Sequence, residues 1–260
     1  MLKFSANLSL LFSELALVER FKAAKDRGFD AVEIQFPYCF SAELLKNILD
    51  DQQLKLVQFN VAADDLLLGG EGLACVPEKR DQFRAAISQA LEYSSLLKPE
   101  VINVLPGRCL TEKRKPEYLS VFKENLCFAA EAFAASNIKI VFEAINSHDM
   151  PGFIVDDGQQ MLDIWQELAL PNLFMQYDIY HMQMMGGDVP AFITKHAHKI
   201  GHIQFADCPG RAQPGTGALN FDRIFSVIED SRYEGWVGAE YNSVGPTAES
   251  LSWFSAFHPI

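Results

Sequence analysis

Eight short apolar runs alternate with eight amphipathic segments along the chain, and that alternation restricts the fold more than any other feature. The runs span residues 3–8, 31–35, 54–60, 101–105, 138–143, 173–178, 200–205 and 236–241, and several are rich in Val, Ile and Phe. Strands buried on both faces need runs of this kind. Between them the spacing predicts helices over 14–27, 41–51, 77–97, 116–136, 157–168, 188–197, 222–230 and 247–257. Gly28 is a fitting C-terminal stop, Ser41 a fitting N-cap, and Pro77 and Pro116 each stand near a first turn. Eight β–α repeats predict an α/β fold, a single (β/α)8 barrel domain over residues 1–260. An open doubly wound sheet is the runner-up, weakened because no Gly-x-Gly-x-x-Gly follows the first strand. A glycine-bearing stretch, 62–76, reads as a long loop of the kind that often covers a site.

Composition narrows the function classes. The chain carries 34 acidic against 22 basic residues, a net charge of −12, so a nucleic-acid surface with its basic stripe is not expected. Five cysteines, an odd number without any Cys-x-x-Cys pair, suit free thiols in a reducing compartment. Asn7, Ser9, Ser13 and Glu14 interrupt the apolar N-terminal stretch, so neither a signal peptide nor a membrane span is expected. The expected location is cytoplasmic.

In a barrel of this type catalytic groups stand at the C-terminal ends of strands. Four successive strands end in oxygen-bearing side chains: Glu143, Asp178, Gln204 and Glu240. Neighbouring strands lie about 5 Å apart, so four such ends can converge on one ion. A single acid at a strand end is usually a helix cap or a solvated loop residue; four in succession after apolar runs are harder to explain that way. An all-oxygen set suits a hard divalent cation, Mg2+ or Mn2+, more than zinc. Moving a carbonyl by one carbon removes a proton beside it and returns one next door, work that Glu143 and Glu240 can share as base and acid while Asp178 and Gln204 act as ligands.

The remaining candidates carry less signal. His202 lies two residues before Gln204 and should share its face one layer deeper. His181 stands three residues after Asp178, placed to contact a substrate oxygen or to pack. Arg211, in the Gly- and Pro-rich stretch 208–217, is a candidate fork for a substrate carboxylate. Arg108 is a weaker one. Asn7 and Gln35 end the first two strands with no assignable role, and Met182, Met184 and Met185 read as packing.

The stretches FNVAADDLLLGGEGLACVP, EAINSHDMPGF, QYDIYHMQMMGGD, IGHIQFADCPGRAQPGTGALNFDRIF and YEGWVGAEY together resemble the hydroxypyruvate isomerase family of TIM barrels, most of all its 2-oxo-tetronate isomerase branch. The resemblance runs over nearly the whole chain. It implies a divalent metal, a chelated hydroxy-keto acid, two catalytic glutamates at Glu143 and Glu240, and further ligands at Asp178 and Gln204. More distant sugar epimerases of this kind place His where Gln204 stands, which again favours a harder metal here. Ala144, Ala218, Asn242 and Ser243 depart from common family patterns. They lie away from the four ligands and bear on the substrate more than on the reaction type. The expected activity is isomerisation of 2-oxo-tetronate to 3-oxo-tetronate. The alternatives are a hydroxypyruvate/tartronate semialdehyde isomerase, a ketose 3-epimerase or an inosose-type dehydratase on the same barrel, or a sugar-binding module without catalysis. An abasic-site endonuclease would need a basic groove and a His-rich zinc site, and the sequence shows neither.

Overall fold

The computed structural model describes residues 1–257. Its strands β1 (Lys3–Asn7), β2 (Ala31–Ile34), β3 (Lys55–Asn60), β4 (Val101–Asn103), β5 (Lys139–Glu143), β6 (Leu173–Asp178), β7 (Ile200–Phe205) and β8 (Trp236–Ala239) are all parallel. They close in sequence order into one barrel, β8 pairing back onto β1 through Lys3 opposite Trp236 and Ser5 opposite Gly238. The predicted (β/α)8 barrel is therefore the observed fold.

Helices α1 (Leu17–Asp26), α2 (Ala42–Gln52), α3 (Arg80–Leu97), α4 (Lys115–Ala132) and α5 (Gly158–Leu168) follow the first five strands. Then come α6 (Ile179–Met184), α7 (Val189–His196), α8 (Phe221–Asp230), α9 (Thr247–Ser250) and α10 (Ser252–Phe257). Local chemistry sets several boundaries. Ser41 accepts the Leu44 N–H, Asp157 that of Gln160 and Asp188 that of Ala191, each satisfying a donor that the first helical turn leaves free. Several details differ from expectation: α1 opens at Leu17 rather than 14, and α4 ends at Ala132 rather than 136. The segment 247–257 is two short helices. Asn220 caps α8, which therefore starts at Phe221. The loop after β6 contains α6, a helix too short to show periodicity, nucleated by Asp178 accepting the N–H groups of Tyr180 and His181. No helix among the described residues is long and apolar enough to cross a membrane, and all five cysteines are free.

Side chains alternate across each strand, so the two faces of the barrel wall carry different chemistry. Outward residues pack on the helices: Phe4 meets Phe225 of α8 at 5.2 Å and Trp253 of α10 at 5.3 Å, edge to face, and Tyr177 stacks on Phe192 of α7 at 4.5 Å. Such pairs add about 0.5–1.5 kcal/mol each beyond the area they bury. The inward face is polar. Ser5, Glu33, Gln58, Gln176 and His202 are all buried and hydrogen-bonded inside the barrel. Gly238 leaves them room, since a Cβ there would stand 2.1 Å from a Glu33 oxygen.

Candidate active site

Glu143 and Asp178 close β5 and β6, Gln204 lies one residue before the end of β7, and Glu240 follows β8; all four are buried at the C-terminal end of the barrel. Asp178 is register partner of Gln204, and Glu143 of Gln176. Neutral amides hold the two glutamates. Asn7 and Gln35 donate to Glu240 Oε1 at 3.0 and 2.9 Å, and Asn103 donates to Glu143 Oε1 at 2.8 Å. Burial, with Glu240 and Asp178 beside it, pushes the Glu143 carboxyl well above its ordinary value. Burial pushes Glu240 up as well, against the pull of Arg211 and with the push of Asp178. Asp178 Oδ2 is buried and accepts no hydrogen bond.

Arg211 is drawn into this cluster. Its Nη2 lies 3.0 Å from Glu240 Oε2 and 3.9 Å from Asp178 Oδ2, with the guanidinium 5.3 Å over the Tyr180 ring. The backbone there has φ +51°, a left-handed conformation that a non-glycine residue adopts only when its surroundings impose it. Asp207 does much of the imposing. Fully buried, it accepts the N–H groups of Cys208 and Leu219 on one oxygen and of Gly215 and Gly217 on the other, at 2.8–3.1 Å, and so shapes the loop from 208 to 219.

His181, on α6, is buried with Nδ1 2.7 Å from Asn146 Nδ2 and Nε2 3.5 Å from Asp178 Oδ2. Burial lowers its pKa to about 4, so the ring is neutral at physiological pH. Arg108 takes no part; it donates to the Pro151 carbonyl at 2.8 Å, outside the site. A cavity of about 190 Å³ opens over Glu143 and Glu240, with Gln176, His181 and Arg211 also on its wall. Leu66 and Leu67, from a 3₁₀ turn inside the loop 62–76, form part of its apolar side. That loop is tied down: Glu71 accepts from the Leu110 N–H and the Tyr118 hydroxyl, and Asp65 accepts the Gly72 N–H.

A hard cation would have to be held by these oxygen donors. Among the described residues no three His, Cys, Asp or Glu side chains are gathered as closely as a bound ion requires. Gln204 Oε1 accepts from Gln176 Nε2 at 2.8 Å, and Arg211 spans Glu240 and Asp178. The chemistry nevertheless fits. Every candidate donor is an oxygen, Asp178 Oδ2 lacks a partner, and two crowded carboxylates are pushed towards their neutral forms. Sequence reasoning passed over Glu33, Asn103 and Asp207. Glu33 is one acid inside the apolar run of β2, and the others are common loop or strand-edge residues; only the two-residue alternation would have turned Glu33 and Asn103 inward.

The model for the xylose isomerase-like TIM barrel matches residues 21–257. A hydroxypyruvate isomerase of Escherichia coli is 40% identical over 257 residues, 99% of this chain and 100% of that one. A 2-oxo-tetronate isomerase of Cupriavidus necator is 38% identical, covering 98% of each chain. Among solved structures, one described as an AP endonuclease, family 2, from Brucella melitensis superposes with a TM-score of 0.95 at 34% identity over 99% of both chains.

Proposed function

The chain belongs to the hydroxypyruvate isomerase family of xylose isomerase-like TIM barrels, and from that premise we propose an isomerase that moves a carbonyl between adjacent carbons of a small hydroxy-keto acid through an enediolate. One observation carries the proposal: two buried carboxylates, Glu143 from β5 and Glu240 from the end of β8, face one cavity of about 190 Å³. That is well below the roughly 300–1,000 Å³ of drug-sized pockets and suits a ligand of a few carbons. The reaction takes a proton from the carbon beside a carbonyl and returns one to the carbonyl carbon. Glu143 and Glu240 serve as base and conjugate acid. Without a cation, burial raises both pKa values, so each carboxyl is disposed to hold a proton that the charged form would lose.

We propose Mg2+ or Mn2+ as the cofactor, held by Glu143, Asp178, Gln204 and Glu240; such an ion supplies Lewis-acid stabilisation of negative charge developing on the substrate oxygens. Arg211 offers a planar fork to the substrate carboxylate. Neutral His181 hydrogen-bonds a substrate oxygen without adding charge. Leu66 and Leu67 exclude water from the apolar side of the cavity. The substrate proposed first is 2-oxo-tetronate, going to 3-oxo-tetronate, with the hydroxypyruvate/tartronate semialdehyde pair second; both share the carboxylate, carbonyl and hydroxyl that these residues address. A cytoplasmic location and the absence of nucleic-acid partners accompany the proposal, resting on free cysteines and a cleft lined with carboxylates.

The test is a panel of hydroxy-keto acids, ketoses and inososes, assayed with Mg2+ or Mn2+ and with chelator, and followed by NMR in D2O. Turnover should need the metal, and deuterium should appear at the receiving carbon. Glu143→Gln and Glu240→Gln should each keep substrate binding and lose turnover. Full activity after verified metal removal, or unchanged turnover in either variant, would refute the mechanism.

A further inference from the structure

We infer that Glu33 is a positioning residue for Gln204: its carboxylate accepts the Gln204 amide N–H and thereby turns the Gln204 carbonyl oxygen towards the cavity. The inference rests on Gln204 serving as a metal ligand.

Glu33 is fully buried on β2, yet its partners on β7 lie across the barrel rather than on a neighbouring strand. Glu33 Oε2 accepts from Gln204 Nε2 at 2.8 Å, and Oε1 lies 2.9 Å from His202 Nε2. Ser5 donates to Oε1 at 2.5 Å, and Asn7 reaches Oε2 at 3.4 Å. Each polar neighbour of the Glu33 oxygens is a nitrogen or hydroxyl that can donate, so in this arrangement Glu33 serves as an acceptor. The backbone is arranged around it, since any side chain at Gly238 would collide with its oxygens.

A carboxamide has two chemically different ends of nearly identical shape, and a cation is bound only by the oxygen. Gln204 has two side-chain partners among the described residues, Glu33 and Gln176. Gln176 is itself an amide that hydrogen-bonds the Glu143 carboxyl as well as Gln204, so any direction it imparts is borrowed from Glu143, whereas Glu33 acts on Gln204 directly. Glu33 accepts only, so the Gln204 nitrogen must face it and the oxygen must face Gln176, which lines the cavity. Outer partners of this kind commonly change metal affinity by about 10–100-fold.

The experiment measures Mn2+ affinity by electron paramagnetic resonance of the free ion, with thermal unfolding in EDTA for every variant. Glu33→Gln offers a donor as well as an acceptor, so Gln204 loses its direction; the Mn2+ Kd should rise about 10–100-fold. The exchange E33Q/Q204E keeps one carboxylate and one carboxamide in contact, with the amide donating from the other side. It should bind Mn2+ at least as tightly as the wild type, and it carries the test if E33Q alone does not fold. A purely structural role lowers the melting temperature of E33Q and leaves its Kd at the wild-type value, which overturns the inference. An exchange variant that fails to fold, or binds no better than E33Q, overturns it too. A wild type that binds no Mn2+ removes the metal proposal together with this one, whereas equal Kd values in wild type and E33Q remove this one alone.

Discussion

Removing the charge of Glu143 should stabilise the chelator-treated protein, and the gain should grow with pH. Burial, then the neighbouring Glu240 and Asp178, raise the Glu143 pKa from 4.5 to about 8. A carboxyl whose pKa is higher folded than unfolded keeps its proton longer in the folded chain. The stability it contributes is full below the unfolded pKa and is lost as the pH climbs through the folded one, here from 4.5 to about 8. His181 works in the opposite direction below its ordinary value: burial lowers it from 6.5 to about 4, so in that range only the unfolded chain takes up the proton. In the interval from pH 6.5 to 8 that histidine contribution fades and the carboxylates dominate. One proton's difference is worth about 1.4 kcal/mol per pH unit, so Glu143 alone costs on the order of 2 kcal/mol across that interval. Glu240, pushed up to about 7, adds a smaller loss of the same sign. The two carboxyls together cost on the order of 2–3 kcal/mol, and at about 2–4 °C per kcal/mol for a chain of this size the melting temperature should fall by roughly 4–12 °C. The assay is thermal unfolding followed by circular dichroism in EDTA at several pH values, for the wild type and Glu143→Gln. The variant should show a shallower slope and melt above the wild type by a margin that widens towards pH 8. Parallel curves would refute the electrostatic account. With Mn2+ in place of EDTA the wild-type trend should reverse, because a cation takes the deprotonated carboxylates.

Three further outcomes follow from the geometry. Arg211→Lys keeps the charge but loses the planar fork, and should raise KM for the acid substrate about tenfold or more with a smaller change in kcat, measured by steady-state kinetics. Asp207→Ala frees four N–H groups of the loop that carries Arg211, and should cost about 1–3 kcal/mol in urea unfolding while lowering kcat/KM at least tenfold; unchanged kcat/KM would mean that the loop holds its shape without Asp207. Gly238→Ala drives a methyl group against the Glu33 carboxylate, and should destabilise by about 1–3 kcal/mol or more, read as a lowered denaturation midpoint.

Fold and site were legible to different depths, for physical reasons. The runs 173–178 and 200–205 coincide with β6 and β7 because the outward half of each strand is apolar and packs on the helices, while a few polar residues, among them Gln176, His202 and Gln204, interrupt it on the inward side. Glu143, Asp178, Gln204 and Glu240 stood out as breaks at the ends of such runs, and the structure brings them to one end of the barrel around one cluster. Glu33 was not legible. One acid inside Ala31–Ile34 looks like noise until the barrel closes and places β2 across from β7, a relation that neither spacing nor composition encodes. Asn103 and Gln176 are neutral and attract no notice, although they set the environment of Glu143 and Gln204. The pairing of Arg211 with Glu240 depends on a left-handed residue and on Asp207, so the loop's composition pointed to a shaped turn but not to where its arginine would reach.

The polar inner wall also has a direction. Four oxygens inside the barrel are buried without a donor, namely Gln58 Oε1, Asn103 Oδ1, Gln176 Oε1 and Asp178 Oδ2. Among the described residues, Arg211 Nε is the buried donor in the same position near the site. An interior rich in unpaired acceptors favours ligands that bring positive charge or hydroxyl groups, since each such oxygen costs roughly 1–3 kcal/mol while it stays unmet. A bound cation would meet the carboxylates, a polyhydroxylated acid would bring donors, and the carboxylate of such an acid is the group that the wall would repel without Arg211. The same imbalance that raises Glu143 and Glu240 would therefore also favour particular ligands beside them, while the outward apolar face packs on the helices and leaves the inward face to the polar groups.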